Sequence, residues 1–190
     1  MMQRIPSSRY IVRMAVSLLM STLLAGCADM VSTADPGPDA ARVRFRLAEP
    51  GDVSVREAVP TPCFFGTDPT LGRVVQVSYN TRAIRWIVES GLSRLGMPGA
   101  ERYPSISYSE ARVRAGVPIA LRFMMMEGVG ALYMVPRYVQ WSMILEPGKD
   151  YEILVGKALR SIAISQIVSD ADGNRLVPVA NVMRTPYCPA

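Results

Sequence analysis

Ala41-Arg42-Val43-Arg44-Phe45-Arg46-Leu47 alternates an apolar residue with an arginine along its whole length. Successive side chains of a strand point to opposite faces, so a period of two marks a β-strand with one apolar and one polar face. Val43, Phe45 and Leu47 are then expected on a core, and Arg42, Arg44 and Arg46 on a solvated face. Three arginines in seven residues also invite a nucleic-acid reading, but alternation accounts for them without one.

Downstream, the same punctuation recurs. Glu49-Pro-Gly-Asp52 is a turn, and Val53 to Val59 is a further short strand or an irregular edge. Thr61 to Gly72 reads as a Pro/Gly/Asp/Thr-rich loop carrying Cys63, Phe64 and Phe65, and Arg73 to Tyr79 as a strand with Val75, Val77 and Tyr79 on one side. Ile84, Ile87, Val88, Leu92 and Leu95 fit helical spacing behind a cap at Asn80 or Thr81, whereas Ile84, Trp86 and Val88 fit a strand equally well. Gly91, Gly96 and Gly99 weaken a long helix, each costing up to about 1 kcal/mol there. One short helix near 81–95 is therefore allowed.

From Tyr103 onward the pattern is β. Ile106–Ser109, Glu110–Arg114, Ile119–Met126, Leu132–Val135, Tyr138–Leu145, Tyr151–Val155, Ile162–Val168 and Leu176–Met183 are short β-type runs. Between them stand Ala115-Gly-Val-Pro118, Gly128 and Gly130, the type I or II turn Glu146-Pro-Gly-Lys149, and the Asp172-Gly173 hairpin signal. Short strands with turns at regular spacing predict a mainly β chain, a single antiparallel β-sandwich over 41–190. The alternative is an α+β domain with Thr81–Leu95 as a helix across the sheet.

Upstream lies a different kind of sequence. Arg4, Arg9 and Arg13 precede Met14 to Ala25, twelve mostly apolar residues, and Leu24-Ala25-Gly26-Cys27 closes the run. A charged region, a short apolar core and small residues are the order of a secretory signal, and twelve residues fall short of the roughly 20 that cross a bilayer. Leu24-Ala25-Gly26-Cys27 resembles the lipobox of bacterial lipoproteins. The resemblance implies a signal peptide over 1–26, a Cys27 that is acylated and becomes the first mature residue, and stable anchoring in a lipid bilayer by several chains. Ala28 rather than Asp after that cysteine implies sorting to the outer membrane, facing the periplasm. Ala28 to Asp39 is small, polar and broken by proline, so 27–40 is expected to be a lipidated cysteine with a flexible tether. Ala115-Gly-Val-Pro118 together with Leu145-Glu-Pro-Gly-Lys-Asp-Tyr151 is similar to turns of small envelope lipoproteins of transthyretin-like or immunoglobulin-like build. That likeness implies a sandwich and transfers no site.

Composition narrows the function classes. The chain holds 21 basic and 16 acidic residues, and removal of the first 26 residues leaves 18 against 16. Basic residues are interspersed rather than clustered, which disfavours nucleic acid. Histidine is absent, so the usual general base, the Ser-His and Cys-His pairs and the commonest metal ligand are missing. Neither lysine, Lys149 or Lys157, stands three residues after a serine, so a Ser-x-x-Lys catalytic set is missing too. No catalytic residues and no cofactor are assigned.

With Cys27 assigned to lipid, Cys63 and Cys188 form an even pair in an exported chain. An oxidising compartment and a spacing unlike C-x-x-C favour a disulfide between them over a redox or metal pair.

Three further stretches invite chemistry. Met124-Met-Met126, with Met134 and Met143, suggests Cu(I) ligation by thioethers, but consecutive strand residues diverge and methionine is a good core filler. Core packing is preferred and no metal site is assigned. Asp170-Ala-Asp172-Gly-Asn174 opens like a calcium loop, yet Arg175 replaces the required glycine and Asn181 the closing glutamate, so it reads as a hairpin turn. Trp86, Tyr133, Tyr138, Trp141 and Tyr151 could line a partner surface and are expected mostly in the core. The function expected is that of a non-catalytic envelope lipoprotein docking on another envelope protein, with a small-ligand or metal-binding lipoprotein as the alternative.

Overall fold

The structure, a computed structural model, describes residues 36–66, 68, 71–79, 93–102, 108–129 and 133–189. The expected signal peptide, Cys27 and most of the expected tether lie outside the described residues, as does most of the run near 81–95. Of that run, Ser93, Arg94 and Leu95 are described and are irregular, and Trp86 is not described.

Among the described residues, ten strands form a β-sandwich of two five-stranded sheets. They are β1 (Ala41–Leu47), β2 (Gly51–Ala58), β3 (Arg73–Tyr79), β4 (Tyr108–Val113), β5 (Pro118–Val129), β6 (Tyr133–Ile144), β7 (Asp150–Val155), β8 (Ile162–Asp170), β9 (Gly173–Pro178) and β10 (Met183–Thr185). One sheet runs β4-β1-β7-β8-β9 and the other β10-β6-β5-β2-β3. Every pairing is antiparallel except β1 with β7, where Val43 faces Tyr151 and Phe45 faces Ile153 in parallel register. The run expected at 53–59, ambiguous in sequence, is the internal strand β2, Gly51–Ala58, with Val53 and Val55 fully buried between β3 and β5 and Val59 exposed beyond its end.

The core is what alternation predicts. Val43, Phe45 and Leu47 from β1, Val53 and Val55 from β2, and Ile119, Leu121 and Phe123 from β5 meet between the sheets, with the rings of Phe45 and Phe123 6.4 Å apart across the gap. Burying large side chains of this kind stabilises by about 1.5–3 kcal/mol each. Tight turns close the strands: Gly148 stands at φ 68°, the left-handed position that a type II turn after Pro147 requires. Asp170 and Gly173 face each other across the β8–β9 hairpin, where the Asp170 carboxylate accepts from the Asp172 N–H and from Arg175.

At the end of the stretch expected as a tether, the Arg112 Nη2 donates to the Gly37 carbonyl at 2.6 Å, and Ala40 is buried. One expectation is corrected: Arg44 and Arg46 are not solvated. Both are 0% exposed.

Candidate functional site

The outer face of the first sheet is covered by Ser93–Arg102, a segment with no ladder of its own beyond a 3-10 turn at Ala100–Arg102. Its backbone groups need partners, and Arg44, Arg46 and Glu110 on the sheet supply them, with Glu152 holding the two arginines. β1 places Arg44 between Glu110 of β4 and Glu152 of β7, all three on one face. The Arg44 Nε donates to Glu110 Oε1 at 2.9 Å, Nη2 to the Met97 carbonyl at 2.5 Å, and Nη1 to the Pro98 carbonyl at 2.9 Å and Glu152 Oε2 at 3.4 Å. Arg46 donates to Glu152 at 2.9 Å and to the Ala100 carbonyl at 3.3 Å. Glu110 Oε2 in turn accepts the N–H groups of Leu95 and Met97. The guanidinium carbons of Arg94, Arg46 and Arg44 lie 3.6, 4.7 and 5.2 Å from the centre of the Tyr108 ring, at cation–π distance. This is a sealed ionic layer that fastens an irregular cover to a sheet. Its chemistry is saturated by its own partners.

The outer face of the second sheet carries a different cover. Cys63 and Cys188 are joined in a disulfide, which ties the loop after β2 to the C-terminal tail. Phe64 donates its N–H to the Pro186 carbonyl and accepts from the Cys188 N–H, both at 3.0 Å, and its ring lies 4.4 Å from that of Tyr187. Beneath this flap Arg122 sits 5.0 Å from the Phe64 ring centre and donates twice to Gln140 Oε1, at 3.0 and 2.9 Å. Among the described residues, Arg122 Nη1 and Gln140 Nε2 have no hydrogen-bond partner. Burial lowers the Arg122 pKa from its ordinary value, while Asp68 pulls it the other way.

The β5–β6 hairpin outruns its neighbours. β2 follows β5 only as far as Met125, and β10 follows β6 only at Gln140–Ser142. Beyond those points β5 and β6 pair with each other, and their far end presents Met126, Tyr133, Met134 and Val135 to solvent, Tyr133 at 75% and Met134 at 59% exposure. Pro136 interrupts the donors of the β6 edge, leaving β5 the more complete edge. At the base of this arm Arg137 pairs with Glu127. Beside it two adjoining surface clefts, of about 410 and 270 Å³, share Tyr138, Val139, Arg184 and Tyr187.

The candidate residues from sequence are thus dispersed. Met125 packs against the core and Met143 is buried within it, but Met124 is half-buried on the opposite face and Met126 and Met134 are exposed, so the five thioethers do not form one set. Core packing is therefore the wrong account of Met126. Tyr151 is core, its Oη accepting the Glu146 N–H at 2.9 Å, and Trp141 packs against the core. Tyr138 lines a cleft and Tyr133 is solvent-facing. Among the described residues no three His, Cys, Asp or Glu side chains are grouped to hold a metal ion, and no helix is long and apolar enough to cross a membrane. Sequence reading missed the ionic layer and the projecting arm. Glu110 and Glu152, at polar positions of two other strands, were the available signal for the first. Run length gave no signal for the second, since the expected strands Ile119–Met126 and Leu132–Val135 differ in length and only the structure extends them to the matched β5 and β6.

No protein-family model matches the chain, and no curated protein matches it either.

Proposed function

We propose that this chain is a non-catalytic cell-envelope lipoprotein, acylated at Cys27 and held in the outer membrane facing the periplasm, whose sandwich docks on another envelope protein. The observation that carries the docking half is the β5–β6 arm. Its apolar end extends past the neighbouring strands β2 and β10, and an apolar patch of this kind on a small domain is characteristic of a contact surface. A strand edge beside Met126 offers main-chain donors and acceptors to an added strand, while Tyr133 and Met134 supply anchoring side chains. The anchor rests on the lipobox-like Leu24-Ala25-Gly26-Cys27.

One experiment addresses both halves: chemical crosslinking in native membranes of the wild-type chain, Cys27→Ser and Tyr133→Ser/Met134→Ser. Wild type is expected at the membrane with a discrete crosslinked partner. Cys27→Ser should be neither processed nor acylated, and the arm variant should stay anchored yet lose the partner. A wild-type chain that repeatedly emerges alone ends the docking reading. A Cys27→Ser chain that is still processed and membrane-bound ends the anchor.

A further inference from the structure

The larger cleft lies where the two sheets part, at the base of the β5–β6 arm. One wall is inward-facing Arg137 and Val139 with Glu127; the other is the β7–β8 turn, Ala158, Leu159 and Arg160; Arg184 of β10 stands at its edge. The lining carries three guanidiniums and one carboxylate, and that carboxylate is already taken by Arg137. Arg160 and Arg184 are exposed and make no side-chain hydrogen bond or ion pair among the described residues.

The turn that presents Arg160 is held in an unusual conformation. Ala158 and Leu159 are consecutive non-glycine residues at φ 49° and 58°, in the left-handed region. Buried Leu159 fixes the turn against the core, so Arg160 is carried at the cleft by a backbone that packing enforces rather than by a loose loop. The adjoining smaller cleft is lined by Phe64, Pro186 and Tyr187, and it shares Arg184 with the larger one.

We infer that this pair of clefts binds a phosphate ester, with the phosphate against Arg160, Arg184 and Arg137 and the organic part against Phe64, Pro186 and Tyr187. A net charge of two positive units in the lining matches a phosphate monoester, which carries about −1.5 to −2 at neutral pH, whereas a single carboxylate would leave part of the lining's positive charge uncompensated. Guanidiniums suit this partner because their forked donors bind phosphate oxygens in pairs. The smaller cleft's aromatic lining selects an ester over inorganic phosphate. A soluble phosphate ester and a lipid headgroup share this chemistry. The inference uses neither the anchor nor the far end of the arm, so it stands independently of the docking reading.

The test is calorimetric titration of the full chain with phenyl phosphate, with benzoate as the singly charged analogue, and with dihexanoyl phosphatidic acid kept monomeric. Phenyl phosphate should bind more tightly than benzoate, and Arg160→Ala or Arg184→Ala should each weaken it about tenfold or more, with further weakening as salt is added. Arg175→Ala, which removes only an exposed partner of Asp170, should leave binding unchanged. Binding of phenyl phosphate identifies the soluble ester as sufficient; binding of the phosphatidic acid alone identifies a headgroup site, and either supports the inference. No binding of either, benzoate binding as tightly as phenyl phosphate, or indifference to both arginine variants overturns it.

Discussion

Arg44 shows what alternation does and does not say. The pattern Val43-Arg44-Phe45-Arg46 correctly sends the arginines to the face opposite the core, but periodicity specifies a side of the sheet and not what lies over it. Cover comes from Ser93–Arg102, whose irregular backbone cannot satisfy itself and takes its bonds from Arg44 and Glu110. A prediction follows at this scale. Were Arg44 a solvated residue, Arg44→Leu would change stability by no more than about 0.5 kcal/mol. Because it is the centre of a buried ionic layer, the variant should lose about 3–5 kcal/mol, leaving Glu110 charged and unpaired. Arg44→Leu/Glu110→Leu should recover part of that loss and not all, since the Leu95 and Met97 N–H groups still lack an acceptor. Denaturant unfolding of wild type, Arg44→Leu, Glu110→Leu and the double variant checks this, and additive losses would mean that the pair is not coupled. Arg44→Lys should be a poor substitute, because an ammonium cannot reach two carboxylates and two carbonyls in the same plane.

At the scale of elements, strands were legible wherever alternation or a turn signal bounded them. Arg73–Tyr79, the Glu146-Pro-Gly-Lys149 turn and the Asp170–Gly173 hairpin stand where their residues place them. Gly128, expected to break the chain, lies inside β5 opposite Met134, and the runs expected at 132–135 and 138–145 join as the single strand β6, Tyr133–Ile144, across Pro136. An edge position tolerates that proline, because no second neighbour there needs its missing N–H. The flap over Arg122 was half legible: composition and compartment paired Cys63 with Cys188, while nothing local revealed that Phe64 would lie on Arg122. The Cys63–Cys188 bond holds a tail that has only a three-residue strand and a few backbone bonds of its own. Cys63→Ser/Cys188→Ser is expected to lower stability by about 2–4 kcal/mol in unfolding experiments, with the reduced wild type behaving alike. A variant as stable as oxidised wild type would show that the flap is held by Phe64, Tyr187 and backbone bonds alone.

For the whole molecule, the sandwich was readable as a class and its wiring was not. β1 and β7 are neighbours in parallel register although about a hundred residues separate them, and no local spacing encodes such a pairing. The result places β1 inside its sheet, between β4 and β7, with the ionic layer on one side and the apolar core on the other. It also leaves the β5–β6 arm as the part of the fold that the sheets do not enclose. In the proposed arrangement Cys27 ties the chain to the membrane, the ionic layer and flap keep both outer faces closed, and the arm makes the contact. The most direct test of that arrangement is site-specific photocrosslinking in native membranes. A photoreactive phenylalanine in place of Tyr133 at the arm is compared with the same residue in place of Asp172, in the exposed β8–β9 turn. The account predicts one discrete adduct with an envelope protein from position 133 and none from position 172. No adduct from position 133, or the same adducts from both positions, would contradict it.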